Sequence, residues 1–235
     1  MLIDHIGHVF PTQTPIAFRL VGRVAFPIYA FMIAQGCVRT RDINKYLMRL
    51  VGFALISEVP FDMVFHNGYS TPFIRLFVDF LNDTNVYYTL SLSVLSIAFY
   101  KKLEVRFEQS GLIIRAGVAA LAVLPSMYLA GPIFGSDYGT YGVALIFLLY
   151  VFDPENKTAR ALIMAGWLGF FYGHYTWQWI RVLGYAPLLF SLTAVLLVSL
   201  YNGEQGVKVK WAFYAFYPVH IALLGSLRLL MLKVH

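Results

Sequence analysis

Apolar segments as long as membrane-spanning helices constrain the fold of this chain more than any other feature of its sequence. We count eight or nine, at residues 1–10, 16–38, 46–65, 86–100, 112–130, 139–152, 159–173, 185–200 and 211–232. Since roughly 20 helical residues cross the apolar core of a bilayer, the longer segments are expected to span a membrane, and the shorter ones to be tilted, re-entrant or interfacial. The sequence therefore predicts an all-α, polytopic transmembrane helical bundle with about eight or nine membrane segments.

The composition indicates the same class of protein. Hydrophobic residues make up 59% of the 235 residues and charged residues 13%, whereas a soluble domain is about half apolar and about a quarter charged. No break in composition divides the chain, so we expect a single domain over residues 1–235. Cys37 is the only cysteine, which excludes an intramolecular disulfide and any cysteine-based metal site.

The basic residues indicate how the bundle is oriented. They concentrate in or beside the loops that follow the second, fourth, sixth and eighth segments, at Arg39, Arg41, Lys45, Arg49, Lys101, Lys102, Arg106, Lys157, Arg160, Lys208 and Lys210. The positive-inside rule makes these loops cytoplasmic and puts the N-terminus inside. The net charge of +6 is then a signal of membrane topology, and no nucleic-acid partner is expected. An amphipathic piece at residues 73–81 is expected to lie along the outer interface.

Ionisable residues also stand inside the apolar segments, where each costs roughly 2.5–3.5 kcal/mol to insert. They are Asp4, His5 and His8 in the first segment, Arg19 and Arg23 in the second, Glu58 and Asp62 in the third, Arg115 in the fifth, and His220 in the last. The alternating directions of the first three segments bring their ionisable residues to one depth. Further polar residues fall at outer helix ends, at Asn85, Tyr87, Tyr88, Asp137, Tyr138, Tyr141 and His174. We therefore expect a shared polar cavity in the outer half of the bundle.

Two histidines, His5 and His220, are the candidate proton acceptors, because a neutral imidazole accepts a proton near neutral pH. Adjacent helical residues diverge by about 100°, so we expect Asp4 to face Arg19 and Arg23 while His5 points into the cavity. A structural ion pair that only holds helices together is the alternative interpretation of these charges.

The remaining signals are less specific. A lone histidine such as His174 is more typical of an interfacial hydrogen-bonding residue than of a catalyst. The sequence contains no motif of a metalloprotease, a serine hydrolase, a P-loop or a dinucleotide-binding fold. The spacing of histidines and carboxylates does not indicate a metal, and none is expected.

Several stretches of this chain resemble the TraX family, named for the conjugal-transfer protein that acetylates F-type pilin. The resemblance lies in residues 1–7 (MLIDHIG), 22–31 (GRVAFPIYAF), 49–62 (RLVGFALISEVPFD), 85–90 (NVYYTL), 137–143 (DYGTYGV), 201–206 (YNGEQG) and 213–220 (FYAFYPVH). These stretches are in family order and cover almost the whole chain. Residues 27–36 and the basic residues after them are also similar to the wider acyltransferase-3 group, in which a histidine near the end of the first helix is thought essential.

The resemblance implies a multi-pass protein of the bacterial cytoplasmic membrane that moves an acetyl group from cytoplasmic acetyl-CoA to an acceptor. For TraX the acceptor is the pilin N-terminal amine. For this chain the choice of acceptor is left open between a peptide, a small amine and a hydroxyl. On this hypothesis the catalytic residues are His5, Asp4, Arg23, Glu58, Asp62 and His220. The CoA phosphates would bind Arg39, Arg41, Lys45, Lys101 and Lys102, and the acceptor would bind Arg19, Asn85, Tyr88, Asp137, Tyr141 and His174.

The expected mechanism uses His5 as general base, oriented by Asp4 or Glu58, with His220 as the second candidate base. Arg19, Arg23 or Tyr88 would stabilise the thioester oxyanion, and a route through an acetylated histidine stays open. Two other functions fit the same buried charges. One is a carrier or flippase for a small polar or lipid-linked solute, and the other is a non-catalytic scaffold for pilus assembly or conjugal transfer.

Overall fold

A computed structural model describes residues 1–65, 83–152, 156–174, 183–204, 206–207 and 209–234. The predicted amphipathic piece at residues 73–81 and Lys208 lie outside these ranges. The side chain of His174 also lies outside the described part.

Every regular element in the described ranges is helical, which confirms the all-α prediction. The helices are α1 (Leu2–Val9), α2 (Ala17–Gly22), α3 (Ala25–Arg39), α4 (Ile43–Phe65), α5 (Val86–Phe107), α6 (Leu112–Tyr128), α7 (Gly139–Val151), α8 (Lys157–His174), α9 (Ala186–Ser199) and α10 (Lys210–Val234). A π-helical turn at Leu129–Ile133 extends α6. Each helix coincides with a predicted apolar segment, except that α2 and α3 together form the second one.

Three helical stretches are long and apolar enough to cross a membrane: Ala17–Arg39, Leu112–Ile133 and Trp211–Met231. Two shorter apolar helices, Gly139–Val151 and Ala186–Ser199, accompany them. On α6 only 17% of the most apolar stretch is buried within the protein, and Leu112 and Ile113 are 82% and 88% exposed. Apolar surface of this extent is typical of an integral membrane protein.

The helices pack so that basic residues gather at one end of the bundle, called here the basic end. Lys101, late in α5, donates a hydrogen bond of 2.7 Å to the carbonyl of Cys37, late in α3. The Arg39 guanidinium lies 5.5 Å from the centre of the Tyr201 ring, and Arg160, at the start of α8, lies 4.8 Å from the centre of the Phe31 ring.

The opposite end is called the cavity end. There the start of α5 meets the segment before α7, where Asp137 N–H donates to the Thr84 carbonyl at 3.0 Å. Arg228, late in α10, donates to the carbonyl of Val64, late in α4, at 3.1 Å. Since α3 runs from Ala25 at the cavity end to Arg39 at the basic end, its length of 15 residues connects the two.

Candidate active site

A cavity of about 450 Å³ lies at the cavity end, between α1, α2, α3, the end of α4 and the starts of α5 and α7. Five of the residues predicted for the site line it: Asp4, His5, Arg19, Arg23 and Asp137. The ionisable residues of the first two predicted segments therefore line a shared cavity in the described part of the structure.

Asp4 holds the two arginines of the second segment together. Its Oδ1 atom lies 2.7 Å from Arg19 Nη1 and 3.2 Å from Arg23 Nη2, and Arg23 Nε also donates to the Arg19 carbonyl at 3.2 Å. The spacing of four residues puts both arginines on one helical face. The Asp4 carboxylate thus pairs with two guanidinium groups. The three side chains together have one net positive charge, which lies beside the cavity.

Gly22 makes this approach of α1 to α2 possible. A Cβ atom at Gly22 would lie 2.2 Å from Asp4 Cβ, which is closer than two non-bonded carbon atoms can come. Gly7, on the facing helix, is similar, since its Cβ would lie 2.9 Å from Phe18 Cβ. Two glycines therefore set the distance at which Asp4 meets the arginines.

His5 and His220 form a direct pair, although 215 residues separate them. His5 Nδ1 lies 2.7 Å from His220 Nε2, and the two rings stack with their centres 4.9 Å apart. On the far side, His220 Nδ1 lies 2.5 Å from the Phe216 carbonyl. A carbonyl accepts but does not donate, so His220 carries its proton on Nδ1.

This chain of contacts determines the tautomer of His5 when both rings are neutral. His220 Nε2 then has a lone pair and accepts from His5 Nδ1–H. His5 Nε2 is consequently left without a proton on the ring that lines the cavity. The sequence hypothesis assigned the orienting role to Asp4 or Glu58, but the structure places His220 in that position.

Glu58 and Asp62 are buried beside the cavity, at 0% and 3% exposure, but among the described residues neither lines it. Glu58 Oε2 accepts hydrogen bonds from the backbone N–H of Asn85, at 3.2 Å, and from its side-chain amide. The amide also donates to the Ala54 carbonyl at 2.9 Å, while Asn85 Oδ1 caps α5 by accepting from Tyr87 N–H at 2.9 Å. Asn85 therefore joins α4 to α5 in this structure; its role toward an acceptor stays a prediction.

Tyr88 and Tyr141, which were also predicted to contact an acceptor, are not among the described residues that line the cavity. Tyr88 has a buried hydroxyl, and its ring centre lies 5.8 Å from that of Phe134. Tyr141 packs against Trp167, whose indole N–H donates to the Tyr141 carbonyl at 3.0 Å. His174 lies outside the described side chains.

The five basic residues predicted for CoA all lie at the basic end, on or between α3, α4 and α5. Arg39, Arg41, Lys45 and Lys102 are exposed, and Lys101 is held by the Cys37 carbonyl. Lys45 lies 3.4 Å from Asp42. Asp42 also accepts from the backbone N–H of Lys45, and this hydrogen bond lowers the pKa of the Asp42 carboxyl.

Of two tyrosines that line the cavity, Tyr217 was missing from the sequence prediction, whereas Tyr138 was expected at an outer helix end. Tyr217 lines the cavity with its ring centre 5.8 Å from that of His5. Tyr138 stacks on Phe26 at 3.6 Å between ring centres, in a left-handed backbone conformation with φ of 62°. The 213–220 stretch contains Tyr217, but tyrosines are so frequent in this chain that the residue type did not mark it.

No group of three or more metal-ligating side chains occurs in the ranges that the structure describes. The cavity instead combines a proton acceptor, a local positive charge and a partly apolar wall. These are the elements of transfer chemistry in which a proton leaves an attacking group and negative charge develops on an oxygen.

A family model described as TraX protein matches residues 1–228. The chain belongs to the TraX family. This confirms the resemblance found in the sequence stretches, several of which supply cavity residues: 1–7 supplies Asp4 and His5, and 22–31 supplies Arg23.

Two relatives share the full extent of the chain. The probable fimbrial assembly protein FimC, serogroup H1, of Dichelobacter nodosus is 26% identical over 241 residues, covering 98% of this chain and 92% of that protein. Protein TraX of Escherichia coli is 23% identical over 234 residues, covering 97% of this chain and 83% of that protein. No solved structure matches the chain.

Proposed function

We propose that this TraX-family protein is an acetyl-CoA-dependent acetyltransferase of the bacterial cytoplasmic membrane. The observation that carries the proposal is the hydrogen bond between His5 and His220, which leaves His5 Nε2 as a base at the cavity wall. An acceptor amine or hydroxyl must lose a proton when it attacks a thioester, so the reaction needs such a base.

In the proposed reaction the bound ammonium group first loses one proton to solvent, and the neutral acceptor nitrogen then attacks the carbonyl carbon of the acetyl thioester. His5 Nε2 takes a proton from that nitrogen, and the C–S bond breaks. The thiolate of CoA leaves and takes up the proton, so the products are an acetylated amine and CoA. The charge of the Arg19–Asp4–Arg23 group favours the negative charge that develops on the carbonyl oxygen.

The charges at the mouth of the cavity favour an amine as the acceptor. Asp83 and Asp137 line the exposed side of the cavity, and two carboxylates there attract a protonated amine more than a neutral hydroxyl. One relative is described as a probable fimbrial assembly protein. We therefore assign the acceptor to a peptide N-terminus, such as that of a pilin, or to a small amine.

The orientation follows from the positive-inside rule. All described helices are assigned to a multi-pass bundle in which the basic end faces the cytoplasm, where acetyl-CoA is found. The cavity end then faces outward. Arg39, Arg41, Lys45, Lys101 and Lys102 are assigned to the CoA phosphates, since charge-assisted hydrogen bonds to phosphate are short and strong.

The first prediction tests the base and its orienting partner. In membranes with equal amounts of protein, His5→Gln is expected to lower acetyl transfer by at least about 100-fold, the smaller end of what a general base contributes. His220→Leu removes the acceptor for His5 Nδ1–H and is expected to lower the rate at least about tenfold. His220→Gln can present an oxygen at the position of Nε2, so it should keep most of the activity.

Transfer is measured by mass spectrometry of acetylated peptides and amines, supplied with isotopically labelled acetyl-CoA. Full activity in both His5→Gln and His220→Leu would remove this site from the proposal. Uptake of solute into proteoliposomes without CoA would indicate a carrier and not an acetyltransferase. Unchanged pilus assembly when both histidines are replaced would indicate a scaffold.

A further inference from the structure

A second cavity, called here the crevice, runs between α3 and α10 with a volume of about 180 Å³. Its walls include Met32 of α3 and Phe213 and Phe216 of α10, which are 41%, 49% and 42% exposed. Its floor includes Leu50 of α4 and Tyr87 of α5, both buried. The crevice is therefore open along one side and closed at its base.

The crevice and the cavity that contains His5 adjoin each other. They share Met1, Tyr29, Val86, Leu90 and Tyr217 in their linings. Of these, Tyr217 also packs edge-on against the His5 ring. Tyr217 therefore lies between the crevice and the His5 ring.

The far end of the crevice reaches the basic end of the bundle. Tyr46 lines that end, and the Arg49 guanidinium lies 5.8 Å from its ring centre. Gly36 leaves room for Tyr46, because a Cβ there would lie 2.8 Å from the tyrosine hydroxyl. Arg39 follows one turn after Gly36, and the exposed Lys45 directly precedes Tyr46.

The lining combines apolar surface with hydroxyl groups. Five tyrosines contribute to it: Tyr29, Tyr46, Tyr87, Tyr214 and Tyr217. A hydrocarbon chain needs no hydrogen-bonding partner, whereas a chain that contains amides must find donors and acceptors wherever it leaves water. The crevice therefore offers a linear, amide-containing molecule both hydroxyl groups and apolar walls.

The distance along α3 from the crevice to the basic end also fits such a molecule. Ten residues of α3 separate Tyr29 from Arg39, which corresponds to about 15 Å at 1.5 Å per residue. Pantetheine has roughly the length of four or five extended residues, or about 15 Å. A phosphate at the basic end would then leave the thioester beside His5.

We infer that the crevice between α3 and α10 binds the pantetheine arm of the acyl donor and delivers its thioester from the basic end to His5. This inference rests on the proposed function, because it names the path of the donor to the same site. It adds a binding surface, from Tyr46 to Tyr29, that no motif of the sequence indicated.

The test uses labelling that does not depend on catalysis. In the full-length protein with Cys37→Ala, a Tyr29→Cys thiolate attacks the CoA sulfur of CoA thiopyridyl disulfide; the old S–S bond breaks, thiopyridine leaves, and CoA stays attached. Labelling at Tyr29→Cys should be at least tenfold faster than at Leu121→Cys, an exposed position on α6. Excess acetyl-CoA should abolish the difference.

A matched pair of tryptophan variants tests the path itself. Met32→Trp narrows the crevice at a half-exposed position and should slow labelling of Tyr29→Cys at least tenfold. Val38→Trp is on the same helix with similar exposure, 45%, but outside the crevice, and should leave labelling unchanged. Labelling that acetyl-CoA does not compete away, as expected if lipid fills the crevice, would overturn the inference. Equal labelling rates in the Met32→Trp and Val38→Trp variants would overturn it too.

The labelling and the transfer reaction can fail separately. Competitive labelling without any acetylated product would support the crevice as a donor site and contradict the proposed reaction. Acetyl transfer at the normal rate in Met32→Trp would contradict the crevice alone.

Discussion

At the scale of single residues, glycine determines whether the site can form. Gly22 leaves the space that Asp4 occupies, since a Cβ there would lie 2.2 Å from Asp4 Cβ. Gly22→Ala is therefore expected to push α1 away from α2 and to separate Asp4 from Arg19 and Arg23. Overpacking of this kind costs about 1–3 kcal/mol, so the thermal midpoint in a fixed detergent should fall, and acetyl transfer with it.

Gly169→Ala is the control for this prediction. No atom lies within 4 Å of a Cβ at Gly169, on α8, and alanine favours a helix interior over glycine by up to about 1 kcal/mol. The control should leave the midpoint unchanged or raise it. Equal midpoints for the two variants would show that the contact between Gly22 and Asp4 does not limit the packing of α1.

The residues of the site differ in how far the sequence could predict them. The meeting of Asp4 with Arg19 and Arg23 was predictable, because helical spacing and alternating direction place them at one depth. The pairing of His5 with His220 was not, since local spacing carries no information about which of several helices packs against α1. The roles of Glu58 and Asn85 depend on the same long-range packing.

At the scale of elements, Asn85 connects two helices through a single side chain. It caps α5 through Oδ1 and donates to Ala54 and Glu58 of α4 through its amide. Asn85→Ala is expected to lower the free energy of unfolding by about 1–3 kcal/mol, the cost of leaving a buried partner unsatisfied, with part of the loss from the missing cap. The measurement is a denaturant titration followed by tyrosine and tryptophan fluorescence.

Ser91→Ala, two turns later on α5, is the matched control. Ser91 is 7% exposed, and among the described residues its hydroxyl makes no hydrogen bond. Removal of that hydroxyl should be neutral or stabilising. If Asn85→Ala behaves in the same way, the contact with Glu58 does not contribute to stability.

The bounds of the helices were largely predictable, and their irregularities were not. The apolar segment at residues 16–38 became the continuous stretch Ala17–Arg39, because the length of an apolar run determines what it can bury. The π-helical turn at Leu129–Ile133 contains Pro132, which lacks an N–H for the regular ladder. Its exact form depends on neighbours, such as Thr140, whose hydroxyl donates to the Met127 carbonyl.

At the scale of the whole molecule, the proposed reaction needs the two ends of the bundle on opposite sides of the membrane. The basic end must meet cytoplasmic acetyl-CoA, and the mouth of the cavity must meet the acceptor outside. The contacts between Lys101 and Cys37 and between Arg39 and Tyr201 show that the basic helix ends are neighbours in space. The basic residues to which the positive-inside rule applies therefore lie on one contiguous surface.

This arrangement predicts the sidedness of two exposed loop positions. In a Cys37→Ala background, a membrane-impermeant maleimide should label Thr12→Cys, in the loop after α1, in intact spheroplasts. Gln109→Cys, in the loop between α5 and α6, should react only after the membrane is permeabilised, because that loop follows the basic end of α5. Labelling of Gln109→Cys in intact spheroplasts would place the basic end outside. Acetyl-CoA would then meet the mouth of the cavity, lined by Asp83 and Asp137, and not the basic residues assigned to its phosphates.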